Sequence, residues 1–133
     1  TGRLAALTPY DCWSLLEGQQ IGRVVWSRAH GAPPGIVPVN LRVIDGSIWF
    51  RTSPTSALAR EGVGGLVAVE LDGVDVVSRS GWSVVVEGMA VPVPDEEVPD
   101  LVHALQVWPA GDRSVHVRVE SHTVTGRRLL NAR

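Results

Sequence analysis

The chain has 133 residues, 44% of them hydrophobic, and a formal net charge of −2, which is enough chain for one domain that buries a core. All twelve basic residues are scattered arginines, so the basic stripe typical of nucleic-acid binding is absent from the sequence. Neither a signal peptide nor an apolar run near the roughly 20 residues of a spanning helix is visible, and we predict a cytoplasmic protein with no nucleic-acid or membrane partner.

Turn and periodicity signals predict a mainly β chain with short helices. A helix over about residues 8–17 starts at the cap Thr8-Pro9 and ends at Gly18, and Cys12 is expected in its buried face. The other elements follow in the order strand 21–28, strand 36–44, strand 47–52, helix 54–61, strand 65–72, strand 81–93, helix 95–106 and strand 114–124. Short strands with hairpin and glycine signals indicate an antiparallel barrel over 1–133, as a single domain.

The strongest local signal is Asp45-Gly46, which predicts a two-residue hairpin loop between strands 36–44 and 47–52. Counting outward from this loop assigns alternate side chains to opposite faces of the hairpin. The first face, interpreted as core, carries Val39, Leu41, Val43, Ile48, Phe50 and Thr52. The second face, interpreted as a candidate site, carries Pro38, Asn40, Arg42, Trp49, Arg51 and Ser53.

The residues after the hairpin predict a helix start, with Ser53 as the cap and Pro54 in the first turn. Free N–H groups at such a start bind anions. Arg51, hydroxyl side chains and Arg60 would surround a phosphate there. The alternative is that Ser53 only caps the helix and that Arg51 is a solvated strand residue.

Several short motifs occur in a consistent order along nearly the whole chain. They are G-R-V at 22–24, P-V-N at 38–40, F-R-T at 50–52, V-E-L-D at 69–72, G-W-S-V-V-V-E-G-M-A at 81–90, W-P-A-G at 108–111, V-R-V at 117–119 and T-G-R-R at 125–128. In these motifs the chain resembles the pyridoxamine 5′-phosphate oxidase-like family, in its short bacterial branch of FMN-binding split barrels.

The resemblance implies a homodimer of six-stranded antiparallel Greek-key split barrels, with FMN between the protomers and a small molecule as substrate. It implies an oxidoreductase, but it assigns no catalytic side chain. The residues expected to bind the cofactor, from the resemblance and from the predicted helix start, are Pro38, Val39, Asn40, Arg51, Thr52, Ser53, Ser56, Arg60 and Trp82.

The chain departs from the family pattern after F-R-T, where Thr55 and Ala57 replace a glycine and a lysine that are common in the family. Loss of the lysine removes a phosphate contact, for which Arg60 could substitute. Three functions therefore stay open: a reductase or oxidase that uses FMN or a deazaflavin, a flavin-binding module without turnover, and a dimeric scaffold that binds no cofactor.

The histidines do not predict a metal site from the sequence alone. His116, Glu120 and His122 share one face of the last strand, but neighbours on that face are about 7 Å apart. We therefore expect no metal and interpret this row as a solvated face or as polar lining of a dimer groove. His30 is expected in a solvated loop, and His103 is expected to pack or cap on a helix.

Overall fold

The structure is a computed structural model that describes residues 2–105 and 112–131. Its strands are β1 (Gly2–Ala6), β2 (Ile21–Trp26), β3 (Gly35–Ile44), β4 (Ser47–Thr52), β5 (Leu66–Asp75), β6 (Ser80–Val93) and β7 (Val115–Asn131). Its helices are α1 (Pro9–Leu16) and α2 (Asp100–His103), with a π-helical turn at Leu58–Gly62 and a 3-10 turn at Asp95–Glu97. Among the described residues, every helix is too short or too polar to cross a membrane.

Six strands close an antiparallel barrel in the order β7-β4-β3-β2-β5-β6, because β6 also pairs with β7. This confirms the predicted six-stranded barrel. The first strand, β1, was not predicted; it lies outside this ring and pairs with the far end of β7, from Gly2 opposite Asn131 to Ala6 opposite Arg127. β7 therefore runs beyond its predicted end at residue 124 and pairs with three strands.

The hairpin between β3 and β4 has the predicted loop and register. Asp45 and Gly46 both have positive φ, 48° and 73°, as a two-residue loop of this type requires. The ladder places Leu41 opposite Phe50 and Val43 opposite Ile48. Leu41, Ile48 and Phe50 are buried in the barrel interior, which confirms the predicted core face.

The opposite face of the hairpin, which was interpreted as a candidate site, is partly covered by another segment of the chain. Trp49 is only 5% exposed and packs in a small apolar cluster with Val98 and Val102. The described residues after β6 that include Val98 and Val102 dock against Trp49 of β4 to make this contact. The reason is burial: Trp49, Val98 and Val102 together remove from water an apolar area that would otherwise be solvated.

Two predicted helices are shorter than the sequence signals indicated. Residues 54–61 begin with a turn, become helical at Ala57 and continue as the π-helical turn Leu58–Gly62. Of the helix predicted over 95–106, the described residues 95–105 contain the 3-10 turn and α2, with extended backbone at Val98 between them. Pro99 explains this division, because proline lacks an N–H group and disfavours helical backbone in the preceding residue.

A cluster of charged side chains on β2 and β5 makes the stability of the fold depend on pH. Arg23 on β2 lies opposite Glu70 on β5, with Nη1 3.3 Å from Glu70 Oε1 and 3.6 Å from Asp72 Oδ2. Burial, together with the neighbouring Asp72 carboxyl, raises the pKa of Glu70 to about 6 despite Arg23. Folding therefore favours protonated Glu70. The stabilisation of the folded state that results is fully present below the ordinary pKa of 4.5 and is lost as pH rises through about 6.

We expect the variant Glu70→Gln to lose this pH dependence. Between about pH 4.5 and pH 7 the free energy of unfolding of the parent should fall by about 1 kcal/mol relative to the variant, after allowance for solvent screening at this partly exposed site. Urea unfolding at a series of pH values measures the difference. Parallel pH curves for parent and variant would contradict the assignment.

Candidate functional site

A cavity of about 500 Å³ opens beside β2, β3 and the end of β4. Its apolar wall is formed by residues 36–39 of β3 together with Trp26 and Leu58. Its polar lining comes from Arg28, Asn40, Thr52, Ser56 and Arg113. A cavity of this size, mostly apolar with a few polar groups, is typical of a small-molecule or cofactor site.

One end of the cavity is built by the Trp26 side chain. Gly35 lies opposite Trp26 in the β2–β3 ladder, and a Cβ atom on Gly35 would overlap the indole ring. Glycine at this position therefore lets the ring lie across the start of β3. The Trp26 indole N–H donates to Glu61 Oε1 at 3.1 Å, which fixes the ring from the other side.

Arg28 lies beside Trp26 in the cavity lining. Its Nε donates to Glu61 Oε1 at 3.1 Å, and its guanidinium carbon is 5.7 Å from the centre of the Trp26 ring. The hydrogen bond from Trp26, followed by the contact with Arg28, lowers the pKa of Glu61. The contact uses one of the five N–H donors of Arg28, so the guanidinium can hold an anion at the cavity while it stays paired with Glu61.

The polar side of the cavity contains two linked hydroxyl groups. Thr52 Oγ1 and Ser56 Oγ are 2.8 Å apart, and Ser56 Oγ also accepts a hydrogen bond from Ala59 N at 3.0 Å. Thr52 and Asn40 are 7% and 8% exposed, so their polar groups lie in a largely dry environment. Hydrogen bonds to a ligand are stronger in such an environment than at an open surface.

The cavity brings together five of the nine predicted cofactor-binding residues. They are Pro38, Val39, Asn40, Thr52 and Ser56. Val39 and Thr52 had been assigned to the core face, and the cavity reaches them because β3 and β4 are not paired with each other beyond Leu41 and Phe50.

The other four predicted residues lie outside the cavity lining. Arg51 is opposite His116 in the β4–β7 ladder and donates from Nη2 to the Leu105 carbonyl at 2.8 Å. Trp82 is half-buried on β6 opposite Gly73 of β5, and its indole ring lies over that glycine. Contact of Arg51 and Trp82 with a cofactor stays a prediction.

The helix start predicted at Ser53 is absent, and binding of an anion at this point by Ser53 and Arg60 stays a prediction. Ser53 Oγ contacts Thr55 N at 3.3 Å inside a turn, and Arg60 Nε donates to Thr55 O at 3.3 Å. The serine that accepts a hydrogen bond from a helical N–H is Ser56, three residues later. The chain must first turn away from β4, so a cap placed directly after the strand cannot begin the helix.

Sequence reasoning missed Trp26, Arg28 and Arg113 as residues around the cavity. The spacing of two between Trp26 and Arg28 could have placed both on one face of an extended segment. Arg113 precedes β7, and nothing in the sequence around it signals its position. Ala57, noted only as a departure from the family pattern, also lines the cavity.

Comparisons with known proteins find relatives over most of the chain. The sequence profile of the pyridoxamine 5′-phosphate oxidase family matches residues 8–128. The uncharacterized protein Rv0080 of Mycobacterium tuberculosis is 38% identical over 126 residues, which are 90% of this chain and 82% of that protein. These matches span all the strands that line the cavity.

Solved structures with the same fold extend the comparison. The FAD binding protein from Mycobacterium smegmatis is 29% identical, with a TM-score of 0.74 over 95% of this chain and 98% of its own. A protein from Corynebacterium glutamicum, provisionally named a pyridoxamine 5′-phosphate oxidase, is 26% identical, with a TM-score of 0.75 over 98% of this chain and 96% of its own. The relatives thus include a protein named for flavin binding.

Proposed function

Since the chain belongs to the pyridoxamine 5′-phosphate oxidase family, we propose that it binds a flavin nucleotide in this cavity and is an oxidoreductase for a small molecule. The observation that carries the proposal is the composition of the cavity. The lining combines an apolar strand segment with two arginines and with hydroxyl and amide groups that are largely buried.

The residues present suit both parts of a flavin nucleotide. Residues 36–39 and Leu58 offer apolar surface to a planar ring. Arg28 and Arg113 offer guanidinium groups, which bind phosphate through two parallel hydrogen bonds. The chain has no lysine, so arginine is the only basic side chain of permanent charge available for this role.

A bound flavin would supply the electron-transfer chemistry, and this chain would bind and orient it. Asn40, Thr52 and Ser56 would donate or accept hydrogen bonds at its polar atoms. The apolar wall would keep water from that side of the ring. No side chain is required as a proton donor for this role, and we assign none.

FMN is the first cofactor to test, as the resemblance implied, and two others follow it. The M. smegmatis relative is named for FAD, which has the same ring and a second phosphate. A deazaflavin is the third. A flavin-binding module without turnover is one alternative function. A dimeric scaffold that binds no cofactor is the other, because Ala57 stands where the family commonly has a lysine.

We also propose that the functional form is a homodimer. Ile36 and Ile21 line the cavity and are 64% and 37% exposed, so the cavity mouth is bordered by solvated apolar side chains. A second copy that covers this border would remove those side chains from water and close the cavity. Sedimentation velocity tests this: a monomer at micromolar concentration, with and without flavin, would contradict the proposal.

The function is tested with untagged protein and three titrations. Absorption of the purified protein reveals a retained flavin, and quenching of flavin fluorescence gives the affinity for FMN, FAD and a deazaflavin. Saturation near one flavin per chain, followed by reduction of the bound flavin by a nicotinamide donor, would support an oxidoreductase. Binding without reduction would support the module, and no binding of any of the three would reject the proposal.

We expect Ala57→Lys to tighten FMN binding about tenfold, because Ala57 lines the cavity and a lysine there adds a cation near the phosphate. Ala57→Met is the matched control, since it adds similar length without charge and should bind FMN no more tightly than the parent. Riboflavin, which lacks the phosphate, should bind the Ala57→Lys and Ala57→Met variants with equal affinity. Equal FMN affinity for both variants would place the phosphate away from Ala57.

A further inference from the structure

A second group of polar side chains lies apart from this cavity, at the start of β7 and in the segment that follows β6. Asp95 of the 3-10 turn, His103 of α2 and His116 of β7 each offer one ligand atom, and these atoms all lie within 4.8 Å of one another. The Asp95 Oδ1 atom is 3.8 Å from His103 Nδ1 and 3.9 Å from His116 Nδ1. The two histidine rings are edge to face, with centres 5.1 Å apart.

The separations in this cluster are too long for hydrogen bonds and close to those around a metal ion. A charge-assisted hydrogen bond from nitrogen to a carboxylate is about 2.7–2.9 Å long. Ligand bonds to zinc of about 2.0–2.1 Å in a tetrahedral site put neighbouring ligand atoms about 3.3 Å apart. An ion would therefore need the two separations from Asp95 to shorten by about 0.5 Å each, and the separation of the two histidine ligand atoms, which is within 4.8 Å, to shorten by up to about 1.5 Å.

His116 supplies the independent observation. Its side chain is only 6% exposed, and neither ring nitrogen has a hydrogen-bond partner within residues 2–105 and 112–131. Buried polar atoms nearly always have a partner, and an unpaired buried group costs about 1–3 kcal/mol. A metal ion bound to one ring nitrogen would remove part of that cost.

His103 is already oriented as a metal ligand is. Its Nε2 is 3.1 Å from the Asp95 backbone carbonyl, which can only accept, so Nε2 carries the proton. Nδ1 then presents its lone pair on the side of Asp95 Oδ1. Histidines that bind metals commonly use one nitrogen for the ion and donate the other N–H to a carbonyl or carboxylate in this way.

The three ligands come from elements that are held against the barrel. Val98 and Val102 lie between Asp95 and His103 in the chain and pack on Trp49. This packing fixes the segment beside β4 and β7. The site is also reachable from solvent, because the side chains of Asp95 and His103 are 79% and 37% exposed. Arg51, which lies opposite His116, is the charged group that opposes a cation here.

We propose that Asp95, His103 and His116 form a binding site for one divalent transition-metal ion of the zinc type. Two imidazoles and one carboxylate are a donor set that binds such ions with a further coordination position open to water. Sequence reasoning considered histidines along β7 alone and predicted no metal. The fold brings His103 and Asp95 to His116 from another segment.

The test is calorimetric titration of the untagged, chelator-treated full chain with Zn²⁺. Asp95→Asn and His103→Gln alter exposed positions and should each weaken binding at least tenfold. The matched control is His122→Gln, an exposed histidine on β7 outside the cluster, which should bind as the parent does. Co²⁺ is the second probe, because the visible spectrum of its complex reports tetrahedral coordination.

The proposal is supported if the parent binds one Zn²⁺ per chain, if Asp95→Asn and His103→Gln bind Zn²⁺ more weakly, and if His122→Gln binds it as the parent does. The proposal fails if the parent does not bind stoichiometrically, if both cluster variants bind as the parent does, or if His122→Gln loses as much affinity as they do. His116→Gln alters a buried residue, so its circular dichroism is recorded first and the decision rests on the two exposed variants. Flavin plays no part in this titration, so the outcome is separate from that of the cavity.

Discussion

Gly88→Ala is expected to lower the free energy of unfolding by about 3 kcal/mol. The β6–β7 ladder shifts register between Glu87 and Gly88, which marks a β-bulge at this point. A Cβ atom on Gly88 would overlap the Glu120 carbonyl oxygen and lie 2.7 Å from its carbonyl carbon. These are backbone atoms that no side-chain rotation can move, so the ladder that closes the barrel would have to open.

Gly65→Ala is the control for this effect. The nearest atom to a Cβ at Gly65 is the Gly62 carbonyl oxygen at 3.6 Å, which is ordinary contact. Urea unfolding of both variants gives the comparison. A loss below about 0.5 kcal/mol in Gly88→Ala would mean that β6 and β7 adjust without cost, and that the close approach is not needed for closure.

Arg28→Gln is expected to weaken FMN binding by about 1.5–3 kcal/mol, the range for a hydrogen bond to a charged group. The reason is the position of Arg28 in the cavity lining, where Nε is paired with Glu61 and the terminal nitrogens remain as donors. Riboflavin has the same ring without the phosphate. Its affinity should change little, so the ratio of the two affinities isolates the phosphate contact.

Two further variants make this result specific. Arg23→Gln removes an exposed arginine from β2 outside the cavity and should leave both affinities unchanged. Arg51→Gln tests the original interpretation of the sequence, in which Arg51 held the phosphate. If Arg51→Gln lowers FMN affinity relative to riboflavin and Arg28→Gln does not, the phosphate lies on the other face of β4 and the proposed site is wrong.

The parts of the fold that follow from local chemistry could be predicted from the sequence. Asp45-Gly46 determines a loop with two positive φ values, and that loop determines the register of β3 and β4. Alternation along β3 and β4 then identifies the buried face. Alternation also placed Asn40 on the face interpreted as a candidate site, whereas Thr52 was assigned to the core face and entered the candidate site through the family resemblance and the predicted helix start.

The parts that depend on distant contacts could not be predicted. Val98 and Val102 pack on Trp49 about fifty residues away, and no local signal states where that segment docks. The same docking brings His103 to His116 and gives Arg51 a carbonyl partner at Leu105. The prediction that a helix starts at Ser53 was wrong for a related reason. A cap signal depends on local sequence, whereas the direction in which the chain leaves β4 depends on distant contacts.

The seventeen residues of β7 have a consequence for the order in which the protein can assemble during synthesis. β7 pairs with β1, β4 and β6, and its pairs with β1 join residues as distant in sequence as Gly2 and Asn131. A ribosome-bound chain that ends before β7 therefore has unpaired edges on β4 and β6. We expect the barrel to close late and slowly, and a chaperone would bind the nascent chain at these two edges.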